Sequence, residues 1–258
     1  MSFALRVPTN WQDPSGDPDA QQYSNAFKPE EKATSPGTPP LFVPASLNKY
    51  HTDTQKMLIA TFGNFIDNMC SAICSAWSNW QSTCSMAGFV VSGPIVSGGQ
   101  IIGVPWMPLI LSGGAPMGSA MQMKYTTTIA TVISNAWMTF SSTVTAAALP
   151  WYPAYAAVPT PVAPPMPNVP TPFAMFIQVP VSITSDLLKM QMVAQHGDPN
   201  APFASQLFES ISFAFEQCYT LWKATTMVNN VMAIASGGTP ISPIPAVGTA
   251  MMAPGGFT

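Results

Sequence analysis

The side chains of this chain that could do chemistry are four cysteines, two histidines and eleven carboxylates. Cys70 and Cys74 stand one helical turn apart, while Cys84 and Cys218 are isolated. A zinc site needs four Cys, His or carboxylate ligands drawn together, and His51 and His196 lie far from the thiols in sequence. The cysteines therefore read as small packed hydrophobes, with a redox or crosslinking role for Cys70 and Cys74 as the alternative. Four are too few for a disulfide scaffold of this length. Asp186 is isolated, and Glu209 and Glu216, seven residues apart, mark the wet face of a helix and not an acid–base pair. His196 precedes Gly197-Asp198, which reads as a helix end and turn. Gly98-Gly99 and the glycines at 113, 114 and 118 lack the Lys-Ser/Thr of a phosphate loop and are read as turn residues. There is no G-x-S-x-G and no H-E-x-x-H. The expectation is a chain without catalytic function, metal or other cofactor.

What holds these residues is unusually poor in ions. Only 7% of the 258 residues are charged, against roughly 25% in ordinary soluble proteins. Twelve of the nineteen charges fall in the first 67 residues; between Asp67 and Asp186 there is only Lys124, and none follows Lys223. A monomer in water stays dispersed through a charged, mixed surface. Two environments remove the conflict: lipid, or burial against other chains. The net charge of −3 and the absence of a basic patch do not suggest nucleic acid. The N-terminus shows no apolar core of a secretory signal.

Residues 1–45 are polar and proline-dotted and read as an extended arm. Leu58, Phe62, Phe65, Met69, Ala72, Ala76 and Trp80 then alternate spacings of four and three, one apolar helix face from about 53 to about 83, with Thr52 or Asp53 as its cap. Tyr125, Ile129, Val132, Ala136 and Phe140 predict a second helix within Met117–Val144. A third is expected over about 203–234, and a shorter one over Ile183–Gln195.

The helices share a repeat. "ICSAWSNWQST" (Ile73–Thr83) aligns with "ISNAWMTFSST" (Ile133–Thr143) at an offset of sixty, and "ISFAFEQC" from Ile211 is a fainter third copy. Ile-x-x-Ala-aromatic thus recurs on all three long helices. Each is followed by an uncharged tail rich in Pro, Gly, Val and Ile. The expected fold is mainly α: three long amphipathic helices in a repeated helix-plus-arm arrangement. A bundle at 46–239 would carry arms at 85–118 and 147–182, and a third arm would end the chain at 240–258.

The middle arm, "LPWYPAYAAVPTPVAPPMPNVPTP", holds nine prolines and no charge. Proline lacks an N–H, so this segment cannot be helix interior or central strand. Its Trp151, Tyr152 and Tyr155 each gain about 1.5–3 kcal/mol on burial, so it should lie in a groove of its own helices, of a sister subunit or of a larger scaffold. Its PxxP spacing lacks the flanking Arg or Lys of an SH3 ligand. Methionine, seventeen times present, serves as core filler or as an adaptable surface. A membrane reading, as a pore or holin, is the alternative. Against it, the most apolar stretches are broken by Pro and Gly and could not satisfy their backbone in lipid, and no Lys/Arg cluster flanks a span.

Helices separated by "GPIVSGGQIIGVPWMPLI", by the middle arm and by "GGTPISPIPAVGTAMM" resemble accessory structural proteins of tailed-bacteriophage particles or contractile injection machines. The resemblance covers most of residues 50–258 and carries over no functional residue. It implies a virion component, of the tail, neck, baseplate or capsid surface, assembled in the host cytoplasm. Its partners would be copies of itself and other structural proteins of the particle, with no nucleic-acid contact and no small-molecule substrate. The expected contacts between subunits are Trp106, Trp151, Tyr152 and Tyr155 on the arms, and Ile73, Trp77, Ile133 and Trp137 on the repeated helices.

Overall fold

The computed structural model describes residues 44–178, 183–198, 201 and 204–258, the side chains of 44–55 and 58 excepted. The N-terminal arm expected at 1–45 lies outside them up to residue 43, as do the side chains of His51, Thr52 and Asp53. The chain divides into two compact units, Met1–Asp67 and Asn68–Thr258.

Helix α1 (Pro44–Thr83) begins nine residues before the expected start and ends where expected. Proline suits a first helical position because its missing N–H would have had no partner there. Of the first unit, the described part is the portion of α1 up to Asp67, in which Thr61 Oγ1 donates to the Met57 carbonyl at 2.8 Å. In the second unit the four-three spacing does what it predicts: Met69, Ala72, Ala76 and Trp80 are all buried.

After α1 the chain turns into a hairpin, β1 (Ser85–Ser92) and β2 (Ile95–Ile102), joined by Gly93-Pro94 with Gly93 at φ 61°. Helices α2 (Trp106–Ser112) and α3 (Ala120–Thr143) follow, α3 being capped by Ser119, whose hydroxyl accepts from Gln122 N at 3.2 Å. Next come β3 (Ala146–Leu149), a 3-10 turn at Pro153–Ala156, β4 (Met166–Pro167), β5 (Thr171–Pro172) and a second 3-10 turn at Phe173–Met175. Helix α4 (Ser185–His196) stops at Gly197, which is left-handed as a C-terminal glycine should be. Helix α5 (Ala204–Thr225) leads into β6 (Met227–Val228), β7 (Val231–Ser236) and β8 (Val247–Met252).

The mainly α expectation is therefore corrected. The apolar arms are not free extensions; they assemble into a six-stranded antiparallel sheet of order β3-β2-β1-β8-β7-β4, with β5 and β6 forming a separate pair. The fold is mixed α/β. The third helix ends at Thr225 and not near 234: Met227–Val228 already pairs with Thr171–Pro172, Asn230 takes a positive φ of 56°, and Val231–Ser236 alternates buried and exposed, the period of a strand. The last strand is central: β8 pairs with β1 on one side (Phe89↔Ala250) and β7 on the other (Ala233↔Ala250). Among the described residues no helix is long and apolar enough to cross a membrane.

Gly99 sits at φ 82°, and a Cβ built there would collide with the ring of Phe89 on the paired strand. Gly114 has φ 91° with open space around it. Gly99→Ala combines left-handed strain (about 1–2 kcal/mol) with overpacking (about 1–3 kcal/mol), whereas Gly114→Ala carries only the strain. Denaturant titration should find Gly99→Ala the more destabilised by about 1–3 kcal/mol; equal losses would contradict this packing.

Candidate functional site

The internal repeat has a physical meaning in three dimensions. Its three aromatic positions, Trp77 on α1, Trp137 on α3 and Phe215 on α5, touch one another. Ring centroids are 5.0 Å apart for Trp77–Trp137, 5.5 Å for Trp77–Phe215 and 6.3 Å for Trp137–Phe215. Trp80 and Phe140, the aligned positions one turn later, flank Trp137 at 4.9 and 5.3 Å. Trp106, the first residue of α2, lies 4.4 Å from the same ring. Edge-to-face and tilted pairs of this kind contribute ~0.5–1.5 kcal/mol beyond their buried area. The repeat thus marks where each long helix meets the common centre. Ile73 and Ile133 are buried beside it, as are Ala76 and Ala136, whereas Ala214 of the third copy is exposed.

The middle arm finds its groove on its own chain. Trp151, Tyr152 and Tyr155 are buried. Trp151 packs 5.2 Å from Phe89 and donates through Nε1 to Thr171 Oγ1 at 2.8 Å. Tyr152 Oη donates to the Val231 carbonyl at 2.8 Å, and Tyr155 Oη to the Pro164 carbonyl at 2.7 Å. Asn168 stands in for a strand residue: its Oδ1 accepts from Val231 N at 2.9 Å and its own N–H donates to Val231 O at 3.0 Å. The arm therefore closes the open edge of β7. Proline belongs at such an edge because it offers no N–H to a further strand.

Of the eight residues expected at contacts between subunits, Ile73, Trp106, Ile133, Trp137, Trp151, Tyr152 and Tyr155 are buried within the single chain, and Trp77 is half-buried. Intramolecular packing is enough to account for their apolar character. The indole N–H groups of Trp106, Trp137 and Trp222 find no acceptor among the described residues. Each such group costs about 1–3 kcal/mol, which the surrounding ring contacts must offset.

The titratable groups do structural work. Glu216 of α5 accepts from Ser185 N at 3.0 Å, a carboxylate at the positive end of α4. Glu209 pairs with Lys189 of α4 at 2.6 Å, a solvent-facing ion pair of little net energy. Both carboxylates read as a helix's wet face thus reach α4, Glu216 through a backbone N–H and Glu209 through a weak surface pair. His196 is buried, stacked on Tyr125 at 4.4 Å and 5.5 Å from Phe208, with neither ring nitrogen partnered among the described residues. Burial lowers its pKa, helped by Lys124 and opposed by Asp198. Burial also pushes the Cys84 thiol up to about 12. Cys70, Cys74 and Cys218 are exposed and take part in no disulfide among the described residues.

One groove of about 650 Å³ opens between α1, α5 and the C-terminal tail. Its walls include Cys74, Trp77, Cys218, Leu221, Trp222 and Phe257. Two thiols face it, and no histidine or carboxylate is among the described residues that line it. The described residues contain no group of three or more metal-ligating side chains. What sequence reasoning missed is the apolar exterior of the sheet. Its sole signal is the absence of any ionisable residue from β1, β2, β7 and β8.

Two solution experiments check this geometry. The unfolded chain protonates His196 near its ordinary pKa of about 6.5, while the folded chain resists. Stability should be fully present above that pH and fall as pH drops from ~6.5 toward the lower folded value; a denaturation series in a His196→Phe variant should lose this component. An unchanged pH slope in the variant would refute the burial. In thiol labelling at neutral pH, Cys74 and Cys218 should react promptly and Cys84 only on unfolding; prompt labelling of Cys84 would contradict its burial. No protein-family model matches the chain, and no characterised protein and no solved structure is detectably similar to it.

Proposed function

We propose that the chain is a non-catalytic structural subunit of a multi-chain particle, of the tailed-bacteriophage virion type that its helix-and-arm layout resembles. The observation that carries this reading is the character of its exterior. From Asn68 to Thr258 the chain has only seven charged side chains, whereas among the described residues of that span twenty large apolar ones are exposed. Single exposed apolar residues are ordinary, but an exterior with so few charges is that of a protein most of whose surface meets other protein.

The folded arms change how the proposal works. The aromatic anchors of the middle arm serve the subunit's own stability, so contacts between subunits fall to the residues left outside: the outer face of the sheet, the α1–α5 groove and the exposed methionines. Other structural proteins of the particle, or further copies of this chain, are the partners that fit; the surface offers little to nucleic acid, with no basic patch.

Sedimentation velocity of the purified chain without detergent should give a species of fixed stoichiometry that grows in with concentration. A monomer at every accessible concentration would contradict the reading. Its virion part is checked separately by mass spectrometry of intact particles, where the chain should be found in stoichiometric amount; absence from the particles would remove that part alone.

A further inference from the structure

Helix α4 is fastened by few groups. Its buried residues are Leu188, Met192 and His196, spaced by four, so they form a single stripe. Met192 Sδ meets the Ser212 hydroxyl of α5 at 3.7 Å. Glu216 accepts from Ser185 N at the first turn, and Lys189 pairs with Glu209 in solvent. The helix has no Trp, Tyr or Phe, so it gives no ring to the aromatic centre. The last member of the stripe is the unusual one. His196 is only 3% exposed, and both of its ring nitrogens lack a partner among the described residues. It fills a slot between Tyr125 of α3, stacked at 4.4 Å with the planes 24° apart, and Phe208 of α5, edge-on at 5.5 Å. A neutral imidazole carries one N–H; the protonated ring carries two and a charge. The slot offers no acceptor to either nitrogen, so it suits the neutral ring.

We propose that His196 is a proton-operated latch: in mild acid its ring takes up a proton and α4 swings free of α3 and α5 as a unit, while the aromatic centre and the sheet stay closed. This is independent of the assembly reading. The groups around the ring set the direction. From α3, Lys124 and Tyr125 face it; from the turn behind α4, Asp198 does. Helix α5 presents the Phe208 ring, and its carboxylates Glu209 and Glu216 are taken by Lys189 and by Ser185 N. Burial and the Lys124 charge disfavour the cation, and Asp198 favours it; the first two prevail and lower the pKa. The carbonyl end of α4 also favours a cation, so proton uptake is made harder and not abolished. Once released, the ring meets water and regains its ordinary pKa of ~6.5. Attachment is therefore complete above ~6.5 and weakens as pH falls toward the lower value of the attached ring, by up to about tenfold per pH unit. The effect is local because the penalty falls on one of the three residues that α4 buries, and on none of Trp77, Trp137 and Phe215. Release uncovers Tyr125, Phe208 and Ser212.

Hydrogen–deuterium exchange of the full chain in dilute solution tests this, at pH 7.5 and 5.5, with and without low urea, and with rates corrected for intrinsic exchange. At pH 5.5 the amides of residues 189–196 should be about three- to tenfold less protected than at pH 7.5. Their exchange should respond only weakly to urea, the mark of a local opening, whereas amides in the middle of α3 should respond steeply. His196→Phe keeps a ring in the slot and cannot take up a proton, so in it the loss at pH 5.5 should vanish. Equal protection of 189–196 at both pH values would overturn the latch, as would the same loss in His196→Phe. A urea response at 189–196 as steep as that of α3 would show that α4 leaves only when everything unfolds, and would overturn release as a unit. Should the variant not fold, the unaltered chain still decides: the His196 ring resonances should titrate below ~6.5, and titration at or above that value would overturn the proposal.

Discussion

Three rings from three helices, Trp77, Trp137 and Phe215, converge on one point, and the placement of everything else in the second unit follows from that convergence. Each helix delivers its ring from the same Ile-x-x-Ala-aromatic frame, so the same inward face is presented three times over. Each helix then ends within a few turns of this centre, and the segment after it leaves from a common region. Tails that start close together can pair with one another without long excursions. The hairpin β1–β2 follows α1, β3 follows α3 and the β7–β8 pair follows α5. The sheet is built from the three tails because their starting points are already held by the aromatic contact.

The second constraint is the backbone. Nearly uncharged chain rich in Pro and Gly has few side-chain partners to offer its own N–H and C=O groups, and burial without partners is costly. Pairing the tails in one antiparallel sheet satisfies most of those groups together. The prolines then sort to the border, where Met166–Pro167 and Thr171–Pro172 end the pairing. Tyr152, Tyr155 and Asn168 reach back to backbone groups of β7 and of the arm itself. The feature that most suggested sticking to other chains, a proline-rich aromatic arm, is what seals an edge against them.

Helix periodicity was legible because it has contrast. Met69, Ala72, Ala76 and Trp80 alternate with Cys70, Ser75 and Ser78 on the outer side, and the repeat was readable as three copies before its rings were known to meet. Strand periodicity lacked contrast. Val-Met-Ala-Ile-Ala-Ser at 231–236 alternates in burial, but its exposed positions include Met232 and Ile234, so the sequence reads as one apolar run. The partners were also remote: β1 and β8 pair across some 160 residues, and no local pattern announces such a contact. The groove with its two thiols was equally silent, since Cys74 and Cys218 lie on different helices and meet only through the aromatic centre.

The central claim is that the tails close on their own chain. Hydrogen–deuterium exchange, read at the amides of Val247–Met252 in dilute protein, tests it most directly. A strand bonded on both sides by β1 and β7 should exchange as slowly as the middle of α3, through global opening alone. Exchange of those amides at the rate of unstructured chain, with α3 still protected, would mean that the C-terminal segment is an extended arm after all and would contradict the account.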